Sequence, residues 1–199
     1  MHIIGLLGGV ASGKSVVARQ LAELGAGVLD ADHAAHEVLR LPEVEAAAKA
    51  RWGTEVFGPD GRIDRARLAK IVFAPGSEGS RERKYLEELT HPRIGRLLAG
   101  QAESLAAAGT AAAVLDAPLL LEAGWDKLCD TLVFVDAPLS ARQARASARG
   151  WTPADFTARE AAQQSPEAKR SCAQAVIDNS GSPQETQQQV ERFWRSLSG

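Results

Sequence analysis

A chain of 199 residues, 45% hydrophobic and 24% charged, has enough residues for one globular domain with a sizeable core and an inserted subdomain. A formal net charge of −2 argues against a duplex nucleic-acid binder, and two cysteines, Cys129 and Cys172, are too few for a zinc cluster or a disulfide framework. The apolar start lacks a basic leader and the apolar run 111–121 is interrupted by Asp116 and Pro118, so a cytoplasmic protein with reduced thiols is expected, without a membrane or nucleic-acid partner.

The first predicted strand, His2–Leu7, runs straight into Gly8-Gly9-Val10-Ala11-Ser12-Gly13-Lys14-Ser15, which fits the phosphate-loop pattern G-x-x-x-x-G-K-[ST]. Glycines at 8 and 13 permit backbone angles that other residues resist, so the N–H groups of Gly9 to Ser15 can curl around phosphate oxygens at a helix start. Lys14 then reaches the β- and γ-phosphates, and the Ser15 hydroxyl serves Mg²⁺. The plainer alternative is a glycine-rich turn that only caps a helix. Residues 15–24 place Val17, Leu21 and Leu24 on one face, with Gly25 positioned to end the helix.

A second strand over 26–29 leads to Asp30-Ala31-Asp32. In an extended segment both carboxylates face one way, and one near the γ-phosphate accepts a proton from an attacking hydroxyl. Alternatively, Asp32 caps the helix that follows. About eighty residues then separate the second strand from the third, which is too long for a plain crossover and predicts a mostly helical insertion. Within it, Thr90-His91-Pro92 reads as the end of one helix and the start of another, while Phe57 and Phe73 read as packing residues of the insertion, with a substrate contact as the alternative.

The third strand, 112–115, delivers Asp116 to the carboxyl edge of the sheet, where it either helps hold Mg²⁺ or caps the turn into Pro118. A fourth strand over 131–135 precedes the interval 139–170, which from Arg142 to Arg170 carries six basic residues against three acids and reads as an anion clamp. A fifth strand over 175–177 and an amphipathic tail over 184–197 complete the chain. The strands are continuous apolar runs alternating with helices, as in a parallel sheet covered on both faces: an α/β fold with five strands.

The segments "GLLGGVASGKS", "VLDADHAAHEV", "FGPDGRIDRARLAKIVF", "YLEELTHPRI", "VLDAPLLLEAGW" and "AVIDNSGS" resemble, in order and spacing, the dephospho-CoA kinases. The resemblance covers nearly the whole chain and implies a P-loop kinase core over 1–32, 106–138 and 171–199. It further implies a helical substrate-binding insertion over about 33–105 and a lid over about 139–170. The implied reaction moves the ATP γ-phosphate, with Mg²⁺, to the ribose 3′-hydroxyl of dephospho-CoA, the last step of coenzyme A synthesis. It implies Asp32 as base, Val10 to Ser15 as the ATP site, the lid's Arg145 at the transferring phosphoryl, and acceptor contacts from His91, Pro118 and Leu119. A monomer or weak homo-oligomer acting on dephospho-CoA and ATP is expected.

Three departures stand out: Val16 replaces the family's usual threonine, Arg142 precedes Gln143 at the lid start, and Gln163-Gln164-Ser165-Pro166 alters the lid order. Two other functions compete, a nucleoside or nucleotide kinase of the same architecture and a GTP switch. Val135-Asp136-Ala137-Pro138 stands where a guanine switch carries Asn-Lys-x-Asp, which argues against the latter.

Overall fold

Strands β1 (His2–Leu7), β2 (Gly27–Leu29), β3 (Ala112–Asp116), β4 (Thr131–Asp136) and β5 (Ala175–Asp178) form one parallel sheet in the order β2-β3-β1-β4-β5. The computed structural model describes residues 1–197; the last two residues of the expected core segment 171–199 lie outside the described residues. The chain divides into two compact units, Met1–Asp30 with the chain from Ala99 onward, and Ala31–Leu98.

In the first unit the central strand β1 pairs with β3 through Ile4↔Val114 and with β4 through Leu6↔Val133. Ile4, Leu6, Val114, Val133, Val135 and Ile177 bury their side chains together with Val17 and Leu21 of helix α1 (Lys14–Glu23). Burying such β-branched and aliphatic side chains is worth about 1.5–3 kcal/mol each, so the apolar runs dictate which strands lie inside. Helix α1 ends in a Schellman turn: Ala26 N–H donates to Leu21 O at 3.0 Å and Gly25 N–H to Ala22 O at 3.0 Å. Gly25 sits at φ 104, a region that costs a side-chain-bearing residue energy. The tail forms helix α9 (Pro183–Ser196), started by a Ser182/Glu185 capping box, with Val190 buried on the same core and Phe193, Trp194 and Leu197 packed against it.

The interval after β4 contains three helices, α6 (Leu139–Ala148), α7 (Pro153–Ala161) and α8 (Pro166–Ser171). Cys129 is a free thiol whose pKa is pushed up to about 12 by burial, which leaves it protonated and inert.

The second unit holds α2 (Ala31–Val38), α3 (Pro42–Trp52), α4 (Arg65–Val72) and the part of α5 (Ser77–Ala107) that ends at Leu98. Val56, Leu68 and Val72 form its small core, with Leu39, Trp52, Phe57, Ile63 and Leu86 against them. Glu82 is buried beneath that layer. It accepts from Arg51 Nε at 2.8 Å, Arg51 Nη2 at 2.7 Å and the Trp52 indole at 2.9 Å, and Arg51 above all holds its carboxyl down at about 2.

Three local expectations change here. Helix α5 does not break at Thr90-His91-Pro92 but runs through Pro92. Proline removes one N–H, yet Thr90 Oγ1 donates to Leu86 O at 2.8 Å and Arg93 Nη1 to Leu89 O at 2.6 Å, while Ile94 and Leu98 anchor the following turns in the interior. Asp30-Ala31-Asp32 is not an extended pair of carboxylates, because α2 already begins at Ala31; Asp32 lies within its first turn rather than at its cap. Phe73 is not a packing residue: it closes α4 with 68% of its surface exposed.

Candidate active site

The turn from β1 into α1 is shaped by close backbone approach. A Cβ on Gly8 would lie 2.6 Å from Val135 O, and one on Gly13, at φ 101, would lie 2.0 Å from Asn179 Nδ2. Ala11 adopts φ 58, a strained conformation for a residue with a side chain, held by its neighbours. The result is a concave run of N–H groups at the N-terminus of α1, where the helix dipole adds partial positive charge. Ser12 Oγ is buried there with no hydrogen-bond partner, a polar atom left over in the loop.

Lys14 spans the mouth of this turn, donating from Nζ to Gly8 O at 3.2 Å and Gly9 O at 3.3 Å. Burial pulls its pKa down to about 8; nearby Asp116 offsets part of that, and Lys169 adds to it. Ser15 Oγ donates to Asp116 Oδ2 at 2.8 Å, so two hard oxygen ligands from distant parts of the sequence meet at the loop. Such a pair fits Mg²⁺, which takes one or two protein oxygens and leaves its remaining positions to water and phosphate.

Beside the loop, Arg145 of α6 donates from Nη1 to Ser12 O at 2.9 Å and from Nη2 to Asn179 O at 2.6 Å. Asn179, just past β5, donates from Nδ2 to Ser12 O at 2.7 Å and is oriented by the buried Thr186 hydroxyl, which donates to Asn179 Oδ1 at 3.0 Å. Arg142 is buried against the loop: it donates to Val10 O at 3.3 Å, pairs with Glu160, and lies 5.6 Å from the Phe156 ring centre. Gly9 gives it room: a Cβ there would lie 2.9 Å from Arg142 Nη1 and displace the guanidinium. Lys169 is likewise buried, donating to Pro118 O at 3.0 Å and Gln163 Oε1 at 2.8 Å and pairing with Glu122 at 3.2 Å.

The first unit thus brings together Gly8 through Ser15, Asp116, Arg145 and, through its carbonyl, Pro118; Leu119 follows in the turn after β3. Asp32 and His91 belong to the second unit, Asp32 exposed on α2 and His91 half-buried on α5. Sequence reading includes Arg142 and Lys169 only among the six basic residues of the anion clamp, without separate roles, and does not single out Glu122 or Asn179 as site residues. A further signal is Gly9, a glycine that the phosphate-loop pattern does not demand.

Comparison with known proteins gives a consistent picture. The family described as dephospho-CoA kinase matches residues 2–185. A dephospho-CoA kinase of Symbiobacterium thermophilum is 42% identical, covering all of this chain and 82% of that protein. One of Geobacter sulfurreducens is 41% identical over 98% of both chains. Among solved structures, TT1252 from Thermus thermophilus superposes with a TM-score of 0.81 at 36% identity, covering 100% of this chain and 98% of that one. A dephospho-CoA kinase from Campylobacter jejuni shares the fold with a TM-score of 0.72 at 24% identity, covering 98% of this chain and 96% of that one.

Proposed function

The chain belongs to the dephospho-CoA kinase family, and on that premise we propose how its residues carry the transfer of the ATP γ-phosphate to the 3′-hydroxyl of dephospho-CoA. This reaction is the last step of coenzyme A synthesis, and it yields CoA and ADP. What supports the assignment of roles above all is the preformed phosphate loop, with Lys14, Ser15 and Asp116 converging on it.

Phosphoryl transfer demands little covalent chemistry of a protein; it demands alignment and neutralisation of charge. The N–H groups from Gly9 to Ser15 bind the ATP phosphates. Lys14 exchanges its carbonyl partners for β- and γ-phosphate oxygens, and Arg145, tethered to Ser12 and Asn179, brings a second fixed charge to the transferring group. Ser15 and Asp116 would hold Mg²⁺, which would supply further neutralisation of the ATP phosphates.

Asp32 takes the proton of the acceptor hydroxyl, while His91, Pro118 and Leu119 contact the acceptor. The insertion over about 33–105 supplies the acceptor surface, and the interval 139–170 acts as a lid that excludes water, without which ATP would be hydrolysed. No helix among the described residues is long and apolar enough to cross a membrane; we place the enzyme in the cytoplasm as a monomer or weak homo-oligomer.

Mass spectrometry of the product formed from ATP, Mg²⁺ and dephospho-CoA tests the activity. One added phosphate at the ribose 3′ position is expected; phosphorylation elsewhere, or ADP without phosphorylated acceptor, would overturn it.

A further inference from the structure

We propose that a basic cavity within the second unit, at the end of α2 opposite Asp32, receives the diphosphate of the acceptor. The proposal rests on the function given above and adds the recognition of the acceptor's charge.

The cavity measures about 380 Å³. One wall is the C-terminal end of α2 and its exit, with His36, Leu39 and Arg40; the other carries Asp60, Arg62, Ile63 and Arg65. Asp60, Arg62 and Ile63 of that second wall lie in a tight hairpin, closed by an antiparallel Phe57↔Ile63 bridge, Gly58 N–H donating to Arg62 O at 2.8 Å and Gly61 N–H donating to Gly58 O at 3.0 Å, and Arg65 opens the capped helix α4. Gly61 turns the chain at φ 73. The wall therefore presents its arginines from a defined backbone.

The charges are not balanced from within. Arg62 is held in place by Glu45, whose two oxygens lie 3.1 Å from Nη1, and Asp60 is occupied by the backbone N–H of Arg62 at 3.1 Å. Arg40 and Arg65, which face the same cavity, have no carboxylate partner among the described residues. The start of α4 does not account for the pocket's polarity, because Asp64 already accepts from the N–H groups of Ala66 and Arg67 at 2.8 and 3.1 Å. Two unpaired guanidinium groups over an apolar floor of Leu39 and Ile63 suit an anion with several oxygens, which guanidinium recognises through paired hydrogen bonds.

Position selects which anion. Asp32, His36 and Arg40 follow one another at intervals of four residues, so they share one face of α2 and its exit, with His36 about 6 Å beyond Asp32 along the axis. A ribose with its 3′-hydroxyl at Asp32 carries its 5′-diphosphate a few bonds away on the same sugar. Lying along that face, it brings the diphosphate to the arginines. The ATP phosphates have their own cradle in the first unit, which leaves the acceptor as the source of this anion.

Steady-state kinetics of the full chain and of R40A/R65A, varying dephospho-CoA and ATP separately, test the proposal. The double variant should raise KM for dephospho-CoA by about tenfold to a hundredfold while KM for ATP moves less than about twofold. R40K/R65K should recover part of the loss, since lysine keeps the charge but not the fork. In the wild type KM for dephospho-CoA should climb with salt, and that slope should flatten in R40A/R65A, a readout that a merely structural role would not move. If R40A/R65A melts before assay, the single variants R40Q and R65Q replace it, and each should raise the same KM. A KM for dephospho-CoA within about twofold of wild type in a folded variant overturns the cavity assignment alone. A wild type that makes no 3′-phosphorylated product overturns the functional reading, and the cavity assignment falls with it.

Discussion

The two halves of this chemistry are built to different standards of rigidity. In the first unit the phosphate loop is overdetermined: Gly8 and Gly13 are pressed against Val135 and Asn179, and Ser12 O accepts from both Arg145 and Asn179. Arg142 and Lys169 are both buried beside it. In the second unit Asp32 stands exposed in the first turn of a short helix, and Arg40 and Arg65 line an open cavity without carboxylate partners among the described residues. The contrast fits the ligands proposed for the two units. A triphosphate presents the same dense charge each time and favours a preorganised cradle. A long flexible acceptor is better received by exposed groups that adjust on binding.

The sharpest way to separate the halves is to disable each chemically. Asp32→Asn keeps the shape and removes the proposed base, so kcat should fall by about 10²–10⁴ while ATP affinity stays within about twofold, measured by nucleotide titration alongside turnover. A kcat at the wild-type level would return Asp32 to a purely helix-stabilising residue. Lys14→Ala acts on the other half and should lower kcat/KM for ATP by about 10²–10³; wild-type turnover would remove the cradle argument altogether.

A smaller effect probes the rigidity itself. Arg142→Ala removes the bond to Val10 O and the Glu160 pair, leaving Gly9 facing a void. KM for ATP should rise by about tenfold, with the dephospho-CoA KM little changed. Equal increases in both constants would mean that the loop and the acceptor surface are not independent.

The two remaining tests use pH. Lys14 in the free protein loses its proton near pH 8, because burial disfavours the ammonium form. Phosphate restores the charge, so ATP binding above pH 8 should take up a proton and weaken as pH rises. Titration calorimetry at pH 8.5 in buffers of different ionisation enthalpy reads that uptake, and identical heats would refute it. In the second unit the Glu82 carboxyl is depressed from 4.5 to about 2, so its stabilising contribution is complete above about pH 4.5 and is lost as pH falls toward 2. Urea midpoints at pH 7 and pH 3 should differ less in Glu82→Gln than in the wild type.

Legibility also differed between the halves. All five strands, the helix after the phosphate loop and the tail helix are recoverable from apolar periodicity and glycine placement, because a parallel sheet buried on both faces leaves a continuous apolar signature. Val17, Leu21 and Gly25 are examples: each does in the structure what its spacing predicts. Proline at 92 and the carboxylates at 30 and 32 mislead, since local propensity there is overridden by the buried Ile94 and Leu98 and by the early start of α2. Phe73 misleads for the opposite reason: most of its surface stays exposed, and an aromatic residue alone does not reveal how far it is covered.

The sequence by itself determined the strand–loop–helix unit, the phosphate cradle and the family. Those depend on residues close together in the chain and on backbone angles that only certain residue types accept. Only the tertiary structure decided that Ser15 meets Asp116, 101 positions away, that Arg142 and Lys169 are buried beside the loop, and that Asn179 locks it from behind. It alone also decided that Arg40 and Arg65 share one cavity. The physical reason is that an ion pair or a hydrogen bond depends on distance and burial in space, and residue order encodes neither until the sheet and its helices have closed.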